Sequence, residues 1–114
     1  MAIELGAATQ NEVGAFYFAS GEHTVLRIDG EAVALGAVRS VGERVWVMLD
    51  LAPAAKDHGF AVVRAIRRYF AERNQTVYAV CGFPAAGRLL HVLGFAPTEE
   101  TVAGDKRVWR WLAR

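Results

Sequence analysis

A short run in the middle of this 114-residue chain carries the residue types with the clearest chemistry. Lys56, Gly59 and Ala61 stand at the spacing Lys-x-x-Gly-x-Ala, where an apolar pattern with helical periodicity begins. A loop that turns into a helix directs free backbone N–H groups and the positive end of the helix dipole at one point. A glycine lets a ligand approach the backbone closely, and Lys56 or His58 adds a cation. This arrangement fits a pyrophosphate; the alternative is an ordinary helix start capped by Asp57.

Two other side chains stand where a reactive group could act. Asp50, near the end of a predicted strand, could take a proton from an amine directly or through water, or could be a solvated strand-end carboxylate. Cys81 is the only cysteine, and the pattern favours a small buried hydrophobe over a nucleophile, because no histidine and acid can be placed beside it. A lone cysteine also excludes an internal disulfide and a CxxC-type zinc site, and we expect no metal.

The composition is that of one globular domain. The chain is 54% hydrophobic and 22% charged, with a net charge of +1. A chain of this length buries one core, so we expect a single domain over residues 1–114. The charge balance disfavours intrinsic disorder and a nucleic-acid partner. No apolar run is long enough to cross a membrane and no basic signal region is present, so we expect a cytoplasmic protein without a membrane partner.

Hydrophobic periodicity predicts seven elements in the order β-β-β-α-β-α-β, after a weaker pattern over residues 1–23. An Asp29-Gly30 turn joins the first two strands, whereas Pro84 begins and Gly94 ends the second helix. Residues 11–19 could form one short helix or a strand. The predicted ranges are 24–28, 31–39, 44–51, 60–73, 76–81, 85–93 and 107–112.

The same patterns predict which side chains are buried. The strand over 76–81 is nearly all apolar, as in a central strand covered on both faces, and the strand over 107–112 is expected near the sheet edge. At least one of Trp109 and Trp111 is expected to face solvent or a partner. The apolar face of the first helix comprises Phe60, Val62, Val63, Ile66, Tyr69 and Phe70. Its other face, with Arg64, Arg67, Arg68 and Arg73, is expected to be solvated rather than bound to nucleic acid.

This order of elements resembles the Gcn5-related N-acetyltransferase (GNAT) superfamily. The acetyl-CoA loop of that family has the form [Gln/Arg]-x-x-Gly-x-[Gly/Ala], which Lys56, Gly59 and Ala61 match with lysine in first place. The Leu93-Gly94-Phe95 run is similar to the end of the second helix in the family. The resemblance covers roughly residues 24–112 and implies an α/β (α+β) fold with a mixed, mostly antiparallel sheet and a reduced N-terminal region.

The resemblance also implies a function, a co-substrate and a site. The function is transfer of an acyl group from acyl-CoA, typically acetyl-CoA, to an amine of a small molecule or protein by direct attack on the thioester. Asp50 is then the candidate catalytic base. The pantetheine arm is expected in a gap between the strands that hold 49–51 and 80–82. The cofactor-binding positions are Leu49, Leu51, Lys56, Asp57, His58, Gly59, Phe60, Ala61, Phe83 and Leu90.

The chain departs from the family at two places. Leu90 and Phe83 stand where many members have a tyrosine that protonates the thiolate and an asparagine that contacts the cofactor, and neither side chain can do that work. Residues 1–23 are too few for the usual strand and two helices, so the acceptor pocket is open or is completed by a second copy in a homodimer. The alternative is a non-catalytic binding or structural module of a larger assembly, for example one encoded by a phage.

Overall fold

The computed structural model describes residues 1–14, 22–81, 84–102 and 104–113. The chain divides into two compact units. Unit 1 comprises Met1–Arg39 and Val47–Ala65, and unit 2 comprises Ser40–Trp46 and Ile66–Arg114. One domain over residues 1–114 stays a prediction.

The described strands form one seven-stranded sheet in the order β1-β2-β3-β4-β5-β7-β6. β4 and β5 are parallel, whereas the pairs β1-β2, β2-β3, β5-β7 and β6-β7 are antiparallel. The mixed, mostly antiparallel α/β architecture is therefore confirmed. In chain order the elements are β1 (Ile3–Ala7), α1 (Gln10–Gly14), β2 (Glu22–Ile28), β3 (Glu31–Val41), β4 (Arg44–Leu51), a 3₁₀ helix (Pro53–His58), α2 (Gly59–Arg73), β5 (Val77–Cys81), α3 (Pro84–Leu93), β6 (Ala96–Val102) and β7 (Lys106–Trp111).

The core of unit 1 lies against the hairpin formed by β2 and β3. Asp29 and Gly30 both have positive φ, 52° and 84°, the backbone that a tight two-residue hairpin requires. Val25 and Leu35, paired across the two strands, are completely buried. Val62, in the first half of α2, is also buried in unit 1.

The core of unit 2 is aromatic. The ring of Phe70, in the second half of α2, lies 5.3 Å from that of Phe95 and 6.0 Å from that of Trp111. Gly94 follows α3 with φ +102°, and a Cβ there would stand 3.3 Å from Nε1 of Trp111. Both the left-handed backbone and the close ring require glycine at this helix end, as the sequence predicts.

Two predictions about strands are wrong, whereas β7 lies near the sheet edge as expected, next to the edge strand β6. β1 and β6 are absent from the predicted order. The sequence does not predict β6, because five of its seven residues are exposed and the strand therefore shows no apolar alternation. Val80 of β5 is 42% exposed, so this strand is not covered along both faces. For residues 11–19 the sequence leaves a short helix and a strand open, and the structure shows the helix Gln10–Gly14; residues 15–19 lie outside the described residues.

One prediction about aromatic side chains is also wrong. Phe60 is 77% exposed, although helical periodicity places it on the apolar face of α2. Trp111 is 8% exposed and Trp109 is part-buried, so the expectation that one of them faces solvent or a partner stays a prediction. Residues two apart on a strand share a face, and for this pair that face is the packed one.

An ion-pair network joins the beginning of unit 1 to β2. Thr9 and Glu12 exchange hydrogen bonds of 2.9 and 3.1 Å in a capping box at α1. Nε of Arg27 donates to Oε2 of Glu12 at 2.7 Å, and Nη1 of the same arginine contacts Glu4. The hydrogen bonds from Arg27 and from the Thr9 backbone lower the pKa of Glu12 to about 2.

This network predicts an acid sensitivity of the fold. Because the pKa of Glu12 is lower in the folded chain than in the unfolded chain, its stabilising effect is complete above about pH 4.5 and is lost as the pH falls toward about 2. Urea unfolding of the wild type between pH 6 and pH 2 should therefore show a steeper loss of stability than that of Glu12→Gln. Parallel curves for the two proteins would contradict this assignment.

Candidate functional site

The end of β4 brings the candidate base to the edge of the proposed loop. Leu49, Asp50 and Leu51 are part-buried residues of this strand. The N–H of Ala52 donates to the carbonyl oxygen of Val33 at 2.9 Å, which fixes the strand end to the neighbouring β3. Asp50 therefore stands shortly before the 3₁₀ helix, on a backbone that is held on one side.

The loop is more ordered than the sequence predicts, because it is a 3₁₀ helix that continues directly into α2. Ala52 is extended (φ −70°, ψ 156°), and Pro53 occupies the first helical position, where its missing N–H removes no bond. The N–H of Ala55 donates to the carbonyl oxygen of Ala52 at 2.9 Å. Its side chain is 4% exposed, so it anchors the loop in the core of unit 1.

No side chain caps the beginning of this helical segment. Ala52, at the cap position, makes no side-chain hydrogen bond. Among the described residues, Asp57 lies inside the 3₁₀ helix and makes no side-chain hydrogen bond. The alternative in which Asp57 is an ordinary helix cap therefore has no support in the geometry.

Gly59 stands at the junction of the 3₁₀ helix and α2. Its φ of −49° and ψ of −46° are right-handed helical values that any residue adopts. A Cβ at this position would meet nothing within 4 Å. The fold thus does not require a glycine here, and the space beside its backbone is open to a ligand.

The charges around the junction are mostly positive. Lys56 and Asp57 are exposed, and His58 and Ala61 are part-buried. One turn into α2, the guanidinium carbon of Arg64 lies 5.1 Å from the centre of the exposed Phe60 ring.

Arg64 is exposed, as the sequence predicts, whereas its contact with Phe60 within α2 is not among the predictions. The i,i+4 spacing from Phe60 is the signal that could have found it.

The predicted gap lies between β4 and β5. Among the described residues, these two strands have one pair of register partners, Trp46 and Tyr78. Continuous pairing along both strands would have argued against the gap, and it is not observed in the described part of the chain. The remainder of β4 belongs to unit 1 and β5 belongs to unit 2. Gly82 lies outside the described residues, so the gap stays a prediction.

Of the two remaining predicted cofactor positions, Leu90 and Phe83, the structure describes only Leu90. Leu90 of α3 is 8% exposed, and its carbonyl oxygen accepts the N–H of Phe95 at 2.9 Å. Phe83 lies outside the described residues. Cys81 is part-buried, with Sγ 3.5 Å from the position of a Cβ on Gly87, so it packs against α3. Cofactor contacts at Leu90 and Phe83 stay predictions.

Other kinds of site receive no support from the described residues. No group of three or more histidine, cysteine, aspartate or glutamate side chains within them could hold a metal ion. Every helix in the described ranges is too short or too polar to span a membrane. A pocket of about 400 Å³ in unit 2 opens beside Arg67, Gly94 and Trp111, and none of the predicted site residues lines it.

Comparison with solved structures finds similar folds among N-acetyltransferases. The Campylobacter jejuni N-acetyltransferase PseH is 14% identical with a TM-score of 0.69, and the match covers 98% of this chain and 99% of that one. An Escherichia coli ribosomal-protein-alanine N-acetyltransferase is 14% identical with a TM-score of 0.67, covering 98% and 94%.

The Bacillus subtilis N-acetyltransferase YlbP, solved with coenzyme A, is 12% identical with a TM-score of 0.61, covering 79% and 66%. No protein-family model and no curated protein sequence matches the chain. At these identities the likeness shows the fold.

Proposed function

We propose that this chain, whose fold is that of the Gcn5-related N-acetyltransferases, binds acyl-CoA at the junction of the 3₁₀ helix and α2 and transfers the acyl group to an amine. Acetyl-CoA is the proposed donor. Three solved proteins with this fold are named as N-acetyltransferases, and one of them holds coenzyme A. These likenesses support the reaction class, and the chain's own residues support the binding site.

The observation that carries the proposal is the open junction at Gly59. The free backbone N–H groups and the positive end of the helix dipole lie at the uncapped beginning of the segment, at Ala52 and Pro53. Gly59 follows about two turns later, Lys56 adds a cation between the two, and a Cβ at Gly59 would meet nothing within 4 Å. We propose that a pyrophosphate lies along this segment.

The transfer step uses few groups of the chain. Bound acyl-CoA supplies an activated thioester carbonyl carbon, which the amine attacks directly. Backbone N–H groups of β4 near Leu49 and Leu51 donate to the carbonyl oxygen as it gains negative charge. Asp50, or a water molecule held by it, takes the proton from the amine. The thioester C–S bond then breaks and releases the amide and the CoA thiolate.

With leucine at position 90, where the resemblance places the acid of the family, we propose that the thiolate takes its proton from water. A well-placed acid contributes about 10²–10⁴ in rate. We therefore propose a slow transferase, which binds the acyl donor but has no side chain that protonates the leaving thiolate. A cytoplasmic location and a homodimer that completes the acceptor pocket remain part of the proposal.

The proposal is tested by calorimetric titration with acetyl-CoA and CoA. We expect binding in the ~1 μM–1 mM range typical of enzyme substrates. At a ligand concentration of 100 Kd, stability should rise by about 2.7 kcal/mol. Pantetheine, which lacks the pyrophosphate, is the matched control and should bind far more weakly. Absence of heat and of thermal stabilisation at millimolar CoA would overturn the proposal.

A further inference from the structure

An aromatic and acidic cluster in unit 2 surrounds the side chain of Arg44. Its guanidinium carbon lies 4.4 Å from the centre of the Tyr78 ring and 6.0 Å from that of the Trp46 ring. Nη1 donates to Oε2 of Glu100 at 2.7 Å. We call Trp46, Tyr78 and Glu100 together the cation box.

Three strands build the cation box. Trp46 and Tyr78 are register partners on β4 and β5, so their side chains share a face, with ring centres 5.5 Å apart. Arg44 stands two residues before Trp46 and therefore lies on that same face. Glu100 comes from β6 within the stretch where the register with β7 shifts. Such an irregularity redirects a side chain, and here it brings a carboxylate to the aromatic pair.

Arg44 is a weakly held occupant of this box. The side chains of Arg44 and Glu100 remain 40% and 43% exposed, so solvent screens their ion pair and leaves it little net value. A cation–π contact at an exposed position adds only a modest gain. Little free energy therefore opposes the displacement of Arg44, although a cation from solution loses translational freedom on binding that the tethered Arg44 does not lose.

We propose that the cation box is a binding site for an aliphatic guanidinium or ammonium group, with Arg44 as the built-in competitor that fills it when no ligand is bound. The negative faces of the two rings select a cation, and the carboxylate fixes it through a charge-assisted hydrogen bond. A free polyamine-like molecule and a basic side chain of a peptide share this chemistry. The site stands whether or not the chain binds acyl-CoA.

The alternative is that Arg44 only connects β4 to β6. Removal of its side chain has different consequences in the two cases. If Arg44 is only a connection, the variant Arg44→Ala will be less stable and will bind nothing new. If Arg44 is a competitor, the variant will have an empty site that retains both rings and the carboxylate.

The test is calorimetric titration with agmatine, an aliphatic guanidinium, in the absence of CoA. We expect Arg44→Ala to bind agmatine about two- to fivefold more tightly than the wild type, since an exposed ion pair of about 0–1 kcal/mol no longer has to be broken. Adding Glu100→Gln to that variant should weaken binding by a similar factor. Arg39→Ala, which removes an exposed arginine of β3, is the matched control and should behave as the wild type.

A second titrant, the peptide acetyl-Gly-Arg-Gly-amide, distinguishes the two sources of the cation. Tighter binding of agmatine than of the peptide indicates a free amine, and the reverse indicates a basic side chain; either result supports the site. Circular dichroism and urea unfolding verify that each variant is folded. A folded Arg44→Ala that binds neither probe more tightly than the wild type overturns the proposal, as does binding that Glu100→Gln leaves unchanged.

Discussion

Replacing Gly59 by glutamate should abolish CoA binding and leave the chain folded. The new carboxylate would stand in the space proposed for the pyrophosphate. At ~4 Å two like charges near a protein surface repel by about 4 kcal/mol, so Kd should rise at least ~100-fold. The backbone at Gly59 is right-handed helical and a Cβ meets nothing within 4 Å, so the substitution creates no clash in the free protein. Calorimetry measures the binding, and urea unfolding measures the stability.

Two variants make this result specific. Gly59→Ala adds only a methyl group, and at a helical backbone it should keep or slightly raise stability while weakening CoA binding less than Gly59→Glu does. Gln75→Glu adds the same charge at an exposed position beyond the end of α2 and should bind CoA as the wild type does. Unchanged affinity in Gly59→Glu would remove the junction from the proposed site.

Replacing Asp50 by asparagine should slow acyl transfer by about 10²–10⁴ and spare CoA binding. The two side chains are nearly equal in size, but an amide cannot take a proton from an attacking amine. Asp50 lies on β4, before the 3₁₀ helix begins at Pro53, and not in the loop proposed to hold the pyrophosphate. The measurement is single-turnover release of free thiol from acetyl-CoA with a panel of primary amines.

Asp105→Asn is the control for this experiment, because it makes the same change in an exposed turn of unit 2. It should keep the wild-type rate and affinity. If Asp50→Asn transfers acetyl groups as fast as Asp105→Asn, another group or bulk water is the base. If Asp50→Asn instead loses CoA binding with an intact fold, Asp50 belongs to the binding site.

The sequence predicts best those elements whose ends depend on single residues. Asp29 and Gly30 demand a tight hairpin, and Pro84 and Gly94 begin and end α3; all four act through their own backbone preferences. The loop of the candidate site is a prediction of another kind, which depends on the short spacing of Lys56 and Gly59 and not on an unusual backbone. Local chemistry at a short spacing needs no knowledge of the sheet.

The failures come from tertiary context. β6 is a polar strand that pairs with β7, and it has no apolar alternation from which it could be predicted. Phe60 fits the helical period of α2, yet it lies beyond the part of the helix that the core covers. Sequence periodicity reports which residues could be buried, whereas packing decides which are.

The cation box shows the same limit more strongly. Arg44, Trp46, Tyr78 and Glu100 span more than fifty positions, and Glu100, which contacts Arg44, lies in the stretch where the register of β6 with β7 shifts. Neither the register of β4 with β5 nor this irregularity is encoded in a local pattern. Sites of this kind become visible only when the strands are paired.

The most direct test of the proposed CoA site is a backbone amide chemical-shift map of the ¹⁵N-labelled chain titrated with CoA. We predict that the largest changes fall on residues 56–61, with pantetheine leaving those amides nearly unmoved. Saturable binding that leaves the amides of residues 56–61 in place and shifts others would contradict the site.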